Sequence, residues 1–152
     1  MIKNEELSLL ELDTLSYHIE ESLYETMGIG KVMGWSKAFF GQWIRSRVED
    51  GRCYYLSSAE SVYCLGLFRF LNHEDESSDE MFHDENGSIL WVDLWYDSTR
   101  THGNKVLEFV KGRCNGKQTK FAYARGLKEN DDKVRIFDIN LMQRFASQNG
   151  VK

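Results

Sequence analysis

The run RTHGNK, residues 100–105, sets two cations and a glycine just after a strand-like segment. If it opens a helix, its first N–H groups lack intrahelical partners and carry partial positive charge. Arg100 and Lys105 would add charge, and Gly103 would let the backbone come close to a bound group. A phosphate or pyrophosphate suits such a turn. Upstream, ILWVDLWYD, residues 89–97, holds Asp93 between Trp91 and Trp95. Strict strand alternation puts Trp91, Asp93 and Trp95 on one face and Leu90, Val92 and Leu94 on the other. A carboxylate among aromatics in mid-strand either does chemistry or answers a core arginine such as Arg69 or Arg125.

The elements that must position these residues follow from periodicity. In the N-terminal segment Leu9, Leu12, Leu15, Ile19 and Leu23 recur at spacings of three and four. That predicts an amphipathic helix, or a pair broken near Asp13 and Thr14, ending at Gly28 and Gly30. A second helix is expected over 36–48, with Phe39, Phe40, Trp43 and Ile44 buried and Asp50-Gly51 as its exit. RCYYLSS and SVYCLGLFRFL read as a hairpin. Then come a polar loop, the strand around Asp93, a helix from about Gly103 to Arg113, KFAYARGL as a strand, ENDD as a turn and KVRIFDI as the last strand. One strand–helix–strand crossover in an otherwise antiparallel series predicts a mixed α+β sheet with a single parallel pair.

Composition bounds the class. The 152 residues, 41% hydrophobic and 28% charged, suit one soluble domain spanning 1–152. No apolar run is long enough for a membrane helix, and the N-terminus lacks signal-peptide order, so a cytoplasmic protein is expected. Cys53, Cys64 and Cys114 form no CxxC pair, which indicates neither a disulfide framework nor a cysteine zinc site. The net charge of −5 is unevenly spread. Residues 73–88 hold seven acids and no Lys or Arg, whereas residues 100–128 hold eight Lys or Arg and one acid, Glu108. His73 and His83 sit among the acids of the first run without HExxH or EF-hand spacing, so a mobile solvated loop and no metal are expected there. No GxSxG elbow, Walker lysine loop or zinc-finger spacing occurs.

The order of elements resembles the Gcn5-related N-acetyltransferase (GNAT) superfamily, whose phosphate loop has the pattern [RQ]-x-x-G-x-[GA]. Arg100 and Gly103 match it, and Lys105 departs from its last position. Within that superfamily the chain is similar to the RTX toxin-activating lysine acyltransferases. The likeness lies in LWVDLW at 90–95, FAYARGLKENDDKVRIFDI at 121–139, and less clearly the stretch at 43–72. The resemblance implies an acyl-CoA or the phosphopantetheine thioester of acyl carrier protein as co-substrate, without metal. It implies a catalytic role for Asp93, orienting a histidine base or binding an ammonium group. That family also uses a histidine before the second helix. GIGKVMGWSKAFF has none, and His18 is the nearest candidate.

Three readings follow. In the first, an acyltransferase holds the thioester against Trp95 and Tyr96, with the phosphates at Arg100, Gly103, Asn104 and Lys105, and acylates an amine such as a protein lysine. In the second, a catalytically inactive relative engages a basic protein through the acidic run. In the third, an acyltransferase acts on nucleic acid gripped by the basic run, which the overall acidity disfavours.

Overall fold

The computed structural model describes residues 9–124 and 134–149; Arg125, Lys128 and the expected ENDD turn lie outside them. The first helix, α1 (Leu9–Leu23), is continuous and buries Leu12, Ser16, Ile19 and Leu23. Thr14 starts no second helix: its Oγ1 donates back to the Leu10 carbonyl at 2.8 Å, an i−4 bond that a helix tolerates. After Gly28, in the left-handed region at φ 65°, comes the short α2 (Ile29–Val32). In α3 (Lys37–Glu49) Ser36 is the N-cap, its Oγ accepting from the Phe39 N–H at 3.1 Å. The buried stripe of α3 contains Arg47 as well as Phe40, Trp43, Ile44 and Val48.

Five strands follow: β1 (Cys53–Ser57), β2 (Val62–Leu71), β3 (Ile89–Asp97), β4 (Lys120–Ala124) and β5 (Val134–Asp138). They lie side by side in chain order. Every pairing is antiparallel except β3 with β4. The link across that parallel pair contains α4 (Gly103–Arg113), with the boundaries the sequence predicts. The fold is therefore the expected mixed, mostly antiparallel sheet with N-terminal helices and one crossover helix. An unexpected last helix, α5 (Met142–Asn149), sends Met142 and Ala146 into the core under α4.

Helices cover both faces. Leu65, Leu67 and Leu94 pack with α1 and α3, while Phe68, Phe70, Leu90 and Val92 pack with α4 and α5. Gly66 sets the height of α4 above the sheet, since a Cβ there would stand 2.8 Å from Val106 Cγ1.

The expected alternation of β3 fails at one residue. Leu94 pairs with Leu67 and Val92 with Phe68, so Asp93 is an extra residue, a β-bulge. Beyond it the faces exchange. Leu94 and Tyr96 join the α1/α3 core, and Trp95 joins the α4/α5 core beside Leu90 and Val92. Trp91 and Trp95 therefore do not share a face.

The β2–β3 connection, expected as a mobile solvated loop, takes a hydrogen-bonded conformation. It forms a 3-10 turn (Glu74–Ser78) closed by a capping box, with the Glu76 carboxylate accepting from the Asn72 and His73 N–H groups at 2.6 and 2.8 Å. Phe82 packs beside Trp91 and Ala122. Of the connection's acids, Glu74, Asp75, Asp79 and Glu85 are exposed, while Glu76, Glu80 and Asp84 are half-buried in this lid.

Candidate functional site

The bulge turns the Asp93 carboxylate into the space between β2, α3 and the lid, where Arg69 and Arg47 meet it. Arg47 Nε donates to Oδ2 at 3.0 Å and Arg69 Nε to Oδ1 at 3.1 Å, and all three side chains are 1% exposed. Burying three charges is costly unless every polar group is satisfied. Here the lid satisfies them. Arg69 donates to the carbonyls of Ser77 (2.8 Å), Phe82 (3.1 Å) and Asp79. Arg47 donates to the Glu80 carbonyl at 2.7 Å and to Ser46 Oγ at 2.9 Å, and its guanidinium lies 4.8 Å from the Trp43 ring centre. This is the arginine-partner role that the sequence left open beside the catalytic one, with Arg69 as one of its candidate partners. Arg47, hidden as a polar residue on an amphipathic helix, was not foreseen.

His18 lies half-buried on α1 beside Ser16 and Ile19. No hydrogen bond or ion pair joins it to Asp93, whose two oxygens are taken by the arginines. The structure does not bring these two sequence candidates together.

Asp93 as a whole residue is half-buried although its side chain is not exposed, so its main chain is what meets solvent. The pairing pattern explains this. β3 pairs with β2 as far as Asp97 but with β4 only from Ile89 to Val92. Among the described residues no strand pairs with residues 93–97 on the β4 side. Trp95 and Tyr96 direct their side chains into opposite cores.

The edge leads to α4. Asp97 supplies the turn with its own carboxylate, which accepts from the His102 N–H at 2.7 Å and lies 3.2 Å from His102 Nδ1. Burial pushes the Asp97 carboxyl up, but the bonds from His102 and Thr99 outweigh that and hold it below the usual aspartate value. Asp97 thus takes one of the donors that an outside anion would use. The Gly103 and Asn104 N–H groups have no acceptor among the described residues. Arg100 is exposed and left-handed at φ 58°, and Lys105 is exposed on the first turn of α4. The sequence pointed to the turn but not to the Asp97–His102 pair within it.

A second polar cluster joins the lid to α3 and α4. Ligand atoms of Asp50, His83 and Glu85 lie within 4.8 Å of one another. Their chemistry does not suit a metal. The Phe70 N–H donates to His83 Nδ1 at 3.0 Å, which leaves the proton on Nε2, bonded to Glu85 Oε1 at 2.7 Å. Arg52 holds Asp50 at 2.7 Å and Arg113 holds Glu85 at 3.0 Å. The Arg113 guanidinium above all lowers the Glu85 carboxyl to about 2. Arg113 and Lys117, the latter bonded to Asn86 Oδ1 at 2.6 Å, are thereby drawn out of the basic run.

Burial lowers the His83 imidazole below its ordinary value, more than Glu85 and Asp50 raise it. The folded protein then binds that proton more weakly than the unfolded chain. His83 contributes stability above the unfolded value near 6.5 that is lost as pH falls through the lower folded value. Urea midpoints should accordingly fall between about pH 7 and pH 5, and His83→Gln should flatten that slope. Equal slopes in the two proteins would remove this role. Glu85 stays ionised in the folded protein over this range and adds to the slope only at its acid end, through the unfolded chain, equally in both proteins.

No family model matches this chain, and no curated protein does. Among solved structures it is similar to a "GphF GNAT-like decarboxylase in complex with isobutyryl-CoA", with 17% identity and a TM-score of 0.46. The similarity covers 77% of this chain and 62% of that one. It assigns no residue a role. No helix among the described residues is long and apolar enough to cross a membrane.

Proposed function

We propose that the protein binds an acyl thioester of coenzyme A or acyl carrier protein along β3 and transfers the acyl group to an amine, such as a protein lysine. The observation that supports it is that, among the described residues, no strand pairs with the β4 side of β3 beyond Val92, and that this side leads to the N-terminus of α4. A pantetheine arm has two amide groups that can bond to such an edge as a neighbouring strand would. Its phosphates would then meet the Gly103 and Asn104 N–H groups, with Arg100 and Lys105 nearby. Main-chain donors at the edge are the kind of group that steadies a thioester oxyanion. The resemblance to the toxin-activating acyltransferases points to the same chemistry. In this reading Asp93 fixes the two arginines and, through them, the lid beside the edge.

Calorimetry and native mass spectrometry against acetyl-CoA, longer acyl-CoAs and acyl carrier protein test the reading. A thioester should bind, and Lys105→Glu should weaken it about tenfold, the scale of one charge-assisted contact. The loss should shrink as salt is added. Failure of every thioester to bind would end this reading.

The second reading, a binding protein for a basic partner, is supported by the exposure of Glu74, Asp75 and Asp79 on a lid held by its main chain. Thioester silence together with salt-sensitive capture of a lysine-rich peptide would favour it. The nucleic-acid reading is weakened by the engagement of Arg113 and Lys117 within the molecule.

A further inference from the structure

We infer that Glu80 of the lid is the carboxylate that exchanges a proton with the acceptor amine, a role that rests on the acyl-transfer reading. Asp93 is enclosed and spends both oxygens on arginines, so it cannot touch a substrate in this arrangement. Glu80 stands over the same centre with its side chain 34% exposed, and its nearer oxygen is 3.9 Å from Arg69 Nη2. That distance is an ion pair without a hydrogen bond. Its main chain is fixed, because Arg47 holds the Glu80 carbonyl at 2.7 Å. Glu80 is therefore anchored by its backbone while its part-exposed carboxylate is held only loosely, by the Arg69 ion pair and the Trp43 indole N–H.

The groups around that carboxylate are Arg69 from β2, Asp93 from β3, and Arg47 and Trp43 from α3. Trp43 is 3% exposed, and its indole N–H is directed at the Glu80 carboxylate, which it helps to hold in the charged form, without closing to a full hydrogen bond. Burial raises the Glu80 carboxyl above the usual glutamate value, more than Arg69 lowers it. A raised carboxyl is better matched to taking a proton near neutrality than an ordinary one.

In the step, the lone pair of the neutral amine forms a C–N bond to the thioester carbonyl carbon. The C–S bond then breaks with its electron pair leaving on sulfur. The proton lost by nitrogen passes to Glu80 and from there to the thiolate, giving an amide and a free thiol.

The test measures thiol release from acetyl-CoA with n-butylamine, alongside acetyl-CoA affinity by calorimetry and the melting temperature. Glu80→Gln should keep the fold and the affinity, lower release by about a hundredfold, and remove the Glu80 inflection from the acidic limb of the pH–rate profile, leaving only the fall set by protonation of the amine itself. Glu80→Asp should recover part of the rate. Release by Glu80→Gln at the wild-type rate overturns the inference. So does a wild-type protein that binds acetyl-CoA yet releases no thiol with the amine, although the thioester site then stands. Absence of acetyl-CoA binding in the wild type overturns the acyl-transfer reading itself, and this inference with it.

Discussion

Asp93→Asn should unfold the protein earlier, by about 3 to 5 kcal/mol, the scale for breaking a buried ion pair by removing one partner. The amide is nearly isosteric, so volume is not the cause. Arg47 and Arg69 would face each other at 1% exposure without the charge that now lies between them. Even with one bond to the amide oxygen, an NH2 group would turn toward a guanidinium, donor against donor. For a chain of this length the loss corresponds to roughly 6 to 20 °C in melting temperature. Amide exchange in residues 73–88 should rise with it, because the same arginines hold the lid carbonyls. An Asp93→Asn protein that melts with the wild type but loses thiol release would return Asp93 to the catalytic role the resemblance implied.

Gly87→Ala should be nearly as damaging, at about 3 kcal/mol, the upper end of the usual cost of overpacking. A Cβ at Gly87 would lie 2.6 to 2.8 Å from the main-chain O, C and N of Leu71, atoms in a paired strand that cannot swing aside. The Gly87 carbonyl also accepts from Gln118 Nε2 at 2.8 Å, and its N–H donates to the Asp84 carbonyl at 2.8 Å. A shift of this residue would therefore disturb the lid, β2 and the entry to β4 together. Chemical denaturation measures the loss directly. An unchanged urea midpoint would mean that the approach of the two chains is looser than these distances.

The legible parts of the fold were those written in repetition. Leucines three and four apart gave α1, and the glycine and the cations gave both ends of α4. The change from period two to period three and four gave the one parallel crossover. The bulge was not legible, since one extra residue in a strand changes no composition and reveals itself only through the partner strand. It reversed the placement of Trp95 and, with it, the idea that two tryptophans flank the carboxylate on one face. Arg47 was not singled out on α3, because its burial depends on an acid from another element. Helix α5 was missed because MQRFASQN is short and polar, and its stability comes from setting Met142 and Ala146 under α4. Asp93 was found by its oddity, but oddity did not say whether substrate or arginine was its answer.

Two residues outside the lid hold much of its middle. Arg47 and Arg69 grip the carbonyls of Ser77, Asp79, Glu80 and Phe82, and every amino acid has a carbonyl. The side chain at 77 can therefore be exchanged with little effect on the loop's path, whereas Asp79 Oδ1 also accepts from the Met81 N–H at 3.1 Å. The lid is a graftable surface, on which charge or recognition motifs can be rewritten while its geometry is kept from beneath.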